Sequence, residues 1–127
     1  MQNTNFQGLY NSRGASIEVI LSLFEFKEDD TYIVYSPALD LAGYDTTKRN
    51  ARKSFKETLK EFFRYTTNKG TFESELIKLG WQINKRKKKF VQPAIDKLLR
   101  DRDYLTEVLR DKEFSKVNSK YDFPVLA

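Results

Sequence analysis

The chain has 127 residues and a net charge of +5, with 39% hydrophobic, 14% aromatic and 32% charged residues. That length suits one domain with a single modest core, and no apolar run approaches the roughly 20 residues a membrane helix needs. Cysteine and histidine are both absent, which excludes disulfides, thiolate nucleophiles, His-based general bases and soft zinc sites, and fits a cytoplasmic protein.

In chain order, residues 1–15 are polar and read as a flexible tail without the hydrophobic core of a secretory leader. Residues 16–26 carry Ile17, Val19, Leu21 and Leu23 on one side and Ile20, Phe24 and Phe26 on the other, which predicts a strand buried on much of both faces. A polar turn over residues 27–30 leads to a second strand containing Tyr32, Ile33, Val34 and Tyr35, and the short connection favours an antiparallel hairpin. Pro37 ends that strand because it lacks the N–H a ladder needs. Residues 39–44 read as a short third strand.

Asp45, Thr46 and Thr47 supply short oxygen-bearing side chains for a helix start. The helix that follows places Ala51, Phe55, Leu59, Phe62 and Thr66 on one stripe, with Phe63 beside it and charges elsewhere. Gly70 closes it in the left-handed conformation. Thr71 is expected to cap a short helix with Leu76 and Leu79 inward. Gly80 stops this helix, and Trp81 opens a further strand as a core anchor.

Five cations follow: Lys85, Arg86, Lys87, Lys88 and Lys89. The ordinary account is a solvated hairpin tip, and the functional one is a contact with nucleic acid, joined by Arg100, Arg102 and Arg110. Residues 82–127 hold 12 basic and 7 acidic side chains against 11 of each in residues 1–81, so the whole excess of positive charge lies in the C-terminal third. Pro93 is expected at the first position of a helix carrying Ile95, Leu98 and Leu99, and Asp103 as the cap of another. Residues 114–127 can form a terminal strand or arm, with Pro124 favouring an edge. The expected organisation is therefore α+β. A three- to four-stranded antiparallel sheet with one long helix on a face spans residues 16–91, and a helical extension with a terminal arm spans 92–127.

The carboxylates Glu18, Asp40, Asp45, Glu57 and Glu61 are the candidates for a metal site. Cations at Lys53, Lys56, Lys60 and Arg64 surround the helical pair, so ion pairing on a solvated helix face is the expected role. No cofactor, metal or catalytic residue is expected. Asp40 is expected to shape its corner by accepting backbone N–H groups, Gly43 to serve positive φ or close packing, and Tyr35, Tyr44 and Tyr65 to edge a core or an interface.

The strand, strand, short strand, helix order, with the run over residues 32–46 at its centre, resembles the HicB family of antitoxins. Pro37, Asp40, Leu41, Gly43, Thr46 and Ala51 stand where that family has its proline–aspartate–leucine–glycine corner and threonine-led helix. The resemblance covers about residues 17–81. It implies a degraded RNase H-like fold, binding to a HicA-type RNA-cleaving toxin, and self-association as a dimer or larger species. Because tyrosine is favoured in protein interfaces, a partner surface is expected at this corner, at Tyr35, Pro37, Asp40, Leu41, Gly43 and Tyr44. Many family members add a ribbon-helix-helix or helix-turn-helix, and residues 93–111 lack the spacing of either.

Overall fold

A computed structural model describes residues 15–84, 86–87 and 89–125. The expected N-terminal tail, apart from Ala15, lies outside the described residues, as do Lys85, Lys88 and the last two residues of the terminal arm. The described chain is α+β: β1 (Ala15–Glu28), β2 (Thr31–Ser36), β3 (Leu41–Asp45), α1 (Lys48–Lys69), α2 (Phe72–Lys78), β4 (Gln82–Asn84), β5 (Lys89–Val91), α3 (Ile95–Asp101), α4 (Asp103–Asp111) and β6 (Phe114–Val125).

Four strands make one antiparallel sheet in the order β3-β2-β1-β6, and β4 and β5 form a separate two-stranded hairpin. The hairpin between β1 and β2 is tighter than the expected four-residue turn. Ladder pairing continues to Glu28 opposite Thr31, leaving only Asp29 and Asp30 in the turn. Asp29 takes a φ of 54°, which aspartate tolerates better than most residues. The third strand begins at Leu41, so Leu39 and Asp40 belong to the corner before it.

Helix α1 starts where the sequence indicates. Thr47 is the cap, its hydroxyl accepting from the Asn50 N–H at 3.1 Å, a bond of a kind that contributes about 1 kcal/mol. Gly70 ends it with φ 70°. The fully buried residues of the stripe are Ala51, Phe55, Leu59, Phe63 and Thr66. Phe63 therefore takes the central place expected for Phe62, which is half-buried. Thr71 makes no side-chain cap bond to α2, Leu76 is buried, and Leu79 only partly so. Two further boundaries differ from expectation. Ile95 rather than Pro93 is the first residue of α3, with Ala94 at its cap, and Arg102 rather than Asp103 occupies the cap position of α4.

The sheet is covered on both faces. Val19, Leu21, Leu23, Val34 and Phe123 meet α1, α2 and the small hairpin in the main core. Its centre is aromatic: the Phe123 ring lies 4.9 Å from Phe63 and 5.3 Å from Trp81, centroid to centroid. On the opposite face Phe24, Phe26 and Tyr35 pack against Leu98, Leu105 and Val108 of α3 and α4. The helices expected as an extension are thus a third layer, and the expected terminal arm is β6, paired with β1 along its whole length. The two faces are not equally closed, for Ile20 is 51% exposed. No described helix is long and apolar enough to cross a membrane.

Candidate interaction surface

Residues 35–45 form a corner braced from several sides. Tyr35 is buried and its hydroxyl donates to Asp40 Oδ1 at 2.8 Å. Asp40 itself has φ 54°. The aspartate therefore braces its corner through a tyrosine hydroxyl, where bonds from backbone N–H groups were expected. The Trp81 indole N–H donates to the Ala38 carbonyl at 2.8 Å, which fixes the corner to the end of α2. Arg102 donates from Nε to the Pro37 carbonyl at 2.9 Å and from a terminal nitrogen to the Leu79 carbonyl at 2.7 Å. Its guanidinium, expected in a basic nucleic-acid surface, thus ties the corner to the end of α2 through main-chain oxygens.

Burial divides the six residues of the expected partner surface. Tyr35, Pro37 and Gly43 are buried, Leu41 is half-buried, and Asp40 and Tyr44 face solvent. Gly43 has no positive φ among the described residues. Its role is close packing, because α1 crosses directly over it. Alongside, the Tyr44 N–H donates to Ser54 Oγ of that helix at 3.2 Å. Tyr44 is 67% exposed and shares the sheet face of Tyr35 and Phe24. On that face an open groove of about 360 Å³ runs between Phe24, Pro37 and Ala38 on one side and Pro93, Ile95 and Leu98 on the other. Ile95 stands 56% exposed there, so the corner offers one apolar groove and one free tyrosine.

Burial holds the Tyr35 hydroxyl well above its ordinary pKa, with the bond to Asp40 adding to the shift. The Tyr104 ring lies 5.0 Å from Tyr35, and burial pushes its hydroxyl up to about 12. A tyrosine whose folded pKa is raised favours the folded state below the unfolded value near 10, and that contribution is lost as pH climbs through the folded value. The urea midpoint is therefore expected to fall between about pH 10 and 12. Tyr35→Phe should flatten that decline, and an unchanged slope would contradict this account.

The basic run sits at the tip of the β4–β5 hairpin. Arg86 and Lys87 occupy the turn, Lys89 begins β5, and all three are exposed. The Lys87 N–H donates to Asn84 Oδ1 at 3.0 Å. Arg100 is also exposed and pairs with Asp96, while Arg110 pairs with Asp111. Neither adds to the charge of the hairpin tip without competition from its own carboxylate.

The candidate carboxylates stand apart. Glu61 pairs with Arg64, which holds its carboxyl below the usual range, and Glu18 sits 4.0 Å from Lys120. Asp45 accepts from the Thr46 N–H at 2.7 Å. Among the described residues no group of three or more acidic side chains is placed to hold a metal ion. The carboxylate overlooked in the sequence is Glu25, which is 8% exposed and bound by Arg52 through two bonds of 2.7 Å. A signal was available: Glu25 continues the inward phase of Leu21 and Leu23, and a charge on that phase requires a partner. The pair holds the Arg52 guanidinium above its ordinary pKa. Comparison of the chain with protein-family models, with curated proteins and with solved structures gives no match.

Proposed function

We propose that this chain is a HicB-like antitoxin, a non-catalytic cytoplasmic domain that binds and blocks a HicA-type RNA-cleaving toxin and self-associates. The observation that carries this reading is the corner itself. The residues that resemble the HicB pattern fold into a turn closed locally by Tyr35 and tied to two distant segments through Trp81 and Arg102. Beside it lie an apolar groove and an exposed tyrosine, the mixture of apolar depth and amphipathic rim that protein interfaces favour. The antiparallel sheet carrying one long helix on a face supports the degraded RNase H-like assignment. Covering such a toxin would block RNA cleavage by occupying its surface, which needs no chemistry from this chain.

The experiment is a search for a HicA-type protein encoded beside this gene, followed by direct binding to it. A stable complex that inhibits RNA cleavage is expected, and Ile95→Asp, at an exposed groove position, should weaken it by about tenfold or more. The absence of any such neighbour or complex overturns the reading. So does magnesium-dependent cleavage of RNA by this chain alone that disappears in Asp40→Asn.

One observation favours a second reading, in which the domain contacts nucleic acid through the exposed cations of the β4–β5 tip. Its signature is an affinity that falls steeply with salt. Replacing residues 85–89 by neutral side chains should then abolish binding at low salt, and unchanged binding would remove this alternative.

A further inference from the structure

The two edges of the main sheet are treated differently. β3 is five residues long, and α1 covers its edge through Gly43 and the bond from Tyr44 to Ser54. β6 is twelve residues long, pairs with β1 on one side, and has no strand on the other among the described residues. Its outer end borders an open cleft of about 550 Å³ whose lining includes Glu18, Lys56, Lys60, Lys120, Tyr121 and Asp122. A long uncovered edge presents a row of main-chain donors and acceptors to another strand.

We infer that β6 is the edge on which a second copy of this chain docks, strand against antiparallel strand about a two-fold axis at Ser119, joining two sheets into one. This deepens the self-association proposed above and rests on it, but not on the toxin. A two-fold axis normal to the sheet keeps each face on its own side, so residues pair only with residues of the same face. Centred on Ser119, the register sets Lys116 opposite Asp122 of the second copy, twice by symmetry. It also sets Val117 opposite Tyr121, two half-buried side chains on the face toward α1. Moving the axis to Asn118 sets Lys116 against Lys120, and moving it to Lys120 sets that lysine against itself. Opposite charges and aromatic–β-branched pairs across strands are favourable, and like charges directly opposite are not. The charge pattern therefore favours this register over those centred one residue to either side.

Within one copy the same charges are poorly matched. Asp122 lies directly across from Glu18 of β1, and Lys120 reaches Glu18 only at 4.0 Å. Neither Lys116 nor Asp122 forms an ion pair among the described residues. Lysines on an edge strand ordinarily keep other strands away. Here Lys116 gains a carboxylate when a second β6 arrives, and Lys120 faces the neutral Asn118.

The test is sedimentation of the full chain over a wide concentration range, for wild type, Lys116→Asp, Asp122→Lys and the double variant. Wild type is expected to dimerise, and each single variant to dimerise roughly tenfold or more weakly. The double variant, which restores the pairing with its signs exchanged, should return close to wild type. Lys116→Gln, a milder change, should fall between, and circular dichroism checks that each variant is folded. A dimer insensitive to both single variants, or a double variant that does not recover, overturns the β6 edge while leaving self-association standing. A wild-type monomer throughout overturns both.

Discussion

Gly43→Ala is expected to destabilise the domain by about 3 kcal/mol, near the upper end of what overpacking costs. A Cβ built at this position would overlap the backbone nitrogen of Phe55 and stand 2.7 Å from the Ser54 carbonyl carbon. These are main-chain atoms of α1, in the turn held by the buried Phe55, and no side-chain rotation relieves the overlap. The helix must lift away from β3, and its whole stripe from Ala51 to Thr66 would lose contact with the sheet. Urea unfolding would show the midpoint falling with little change in slope, since the surface exposed on unfolding is unaltered. A cost under about 1 kcal/mol would mean that α1 and β3 separate more easily than packed backbones normally do.

Phe123→Ala should cost about 3–5 kcal/mol, the range for removing a buried phenylalanine ring. The ring is fully buried and lies against Phe63, Phe72, Trp81 and Phe90. It therefore joins the last strand to α1, α2 and the small hairpin at once. Because a domain of this size is stable by only about 5–15 kcal/mol, most of that margin is at stake. Hydrogen exchange distinguishes the mechanism. If Phe123 holds the whole core, protection is lost across α1 as well as β6, whereas loss confined to β6 would mean that the strand frays alone.

Much of the fold was legible in local patterns. The first two strands, the long helix and its two ends follow from side-chain period, the oxygen-bearing cap at Thr47 and the left-handed Gly70. These depend on residues near one another in sequence, where propensity and capping act directly. Local signals were weaker for α3 and α4. Ile95 and Leu99 look like core residues yet are largely exposed, because only Leu98 of that helix meets the sheet. The choice between Phe62 and Phe63 at the centre of α1 had the same limit, since one position of helical rotation separates them.

The corner shows the division most clearly. Its composition marked it as special through Pro37, Asp40 and Gly43. Their roles lay beyond the sequence: Asp40 meets Tyr35, Pro37 offers its carbonyl to Arg102, and Gly43 makes room for Phe55. The bonds of Arg102 and the pairing of Glu25 could not be read from the sequence, because a charged side chain announces its charge but not its partner.

By itself the sequence determined the class of the domain, the strands and long helix at its start, the lack of histidine and cysteine, and the position of its cations. Only the tertiary structure decided that the last two helices close the second face of the sheet, that β6 returns to β1, and that three residues of the expected surface are buried. The physical reason is that strand pairing and burial are settled between segments far apart in the chain. Ala15 pairs with Val125, and Trp81 reaches Ala38. A one-dimensional pattern records which face of an element is apolar, but not which other element will cover it.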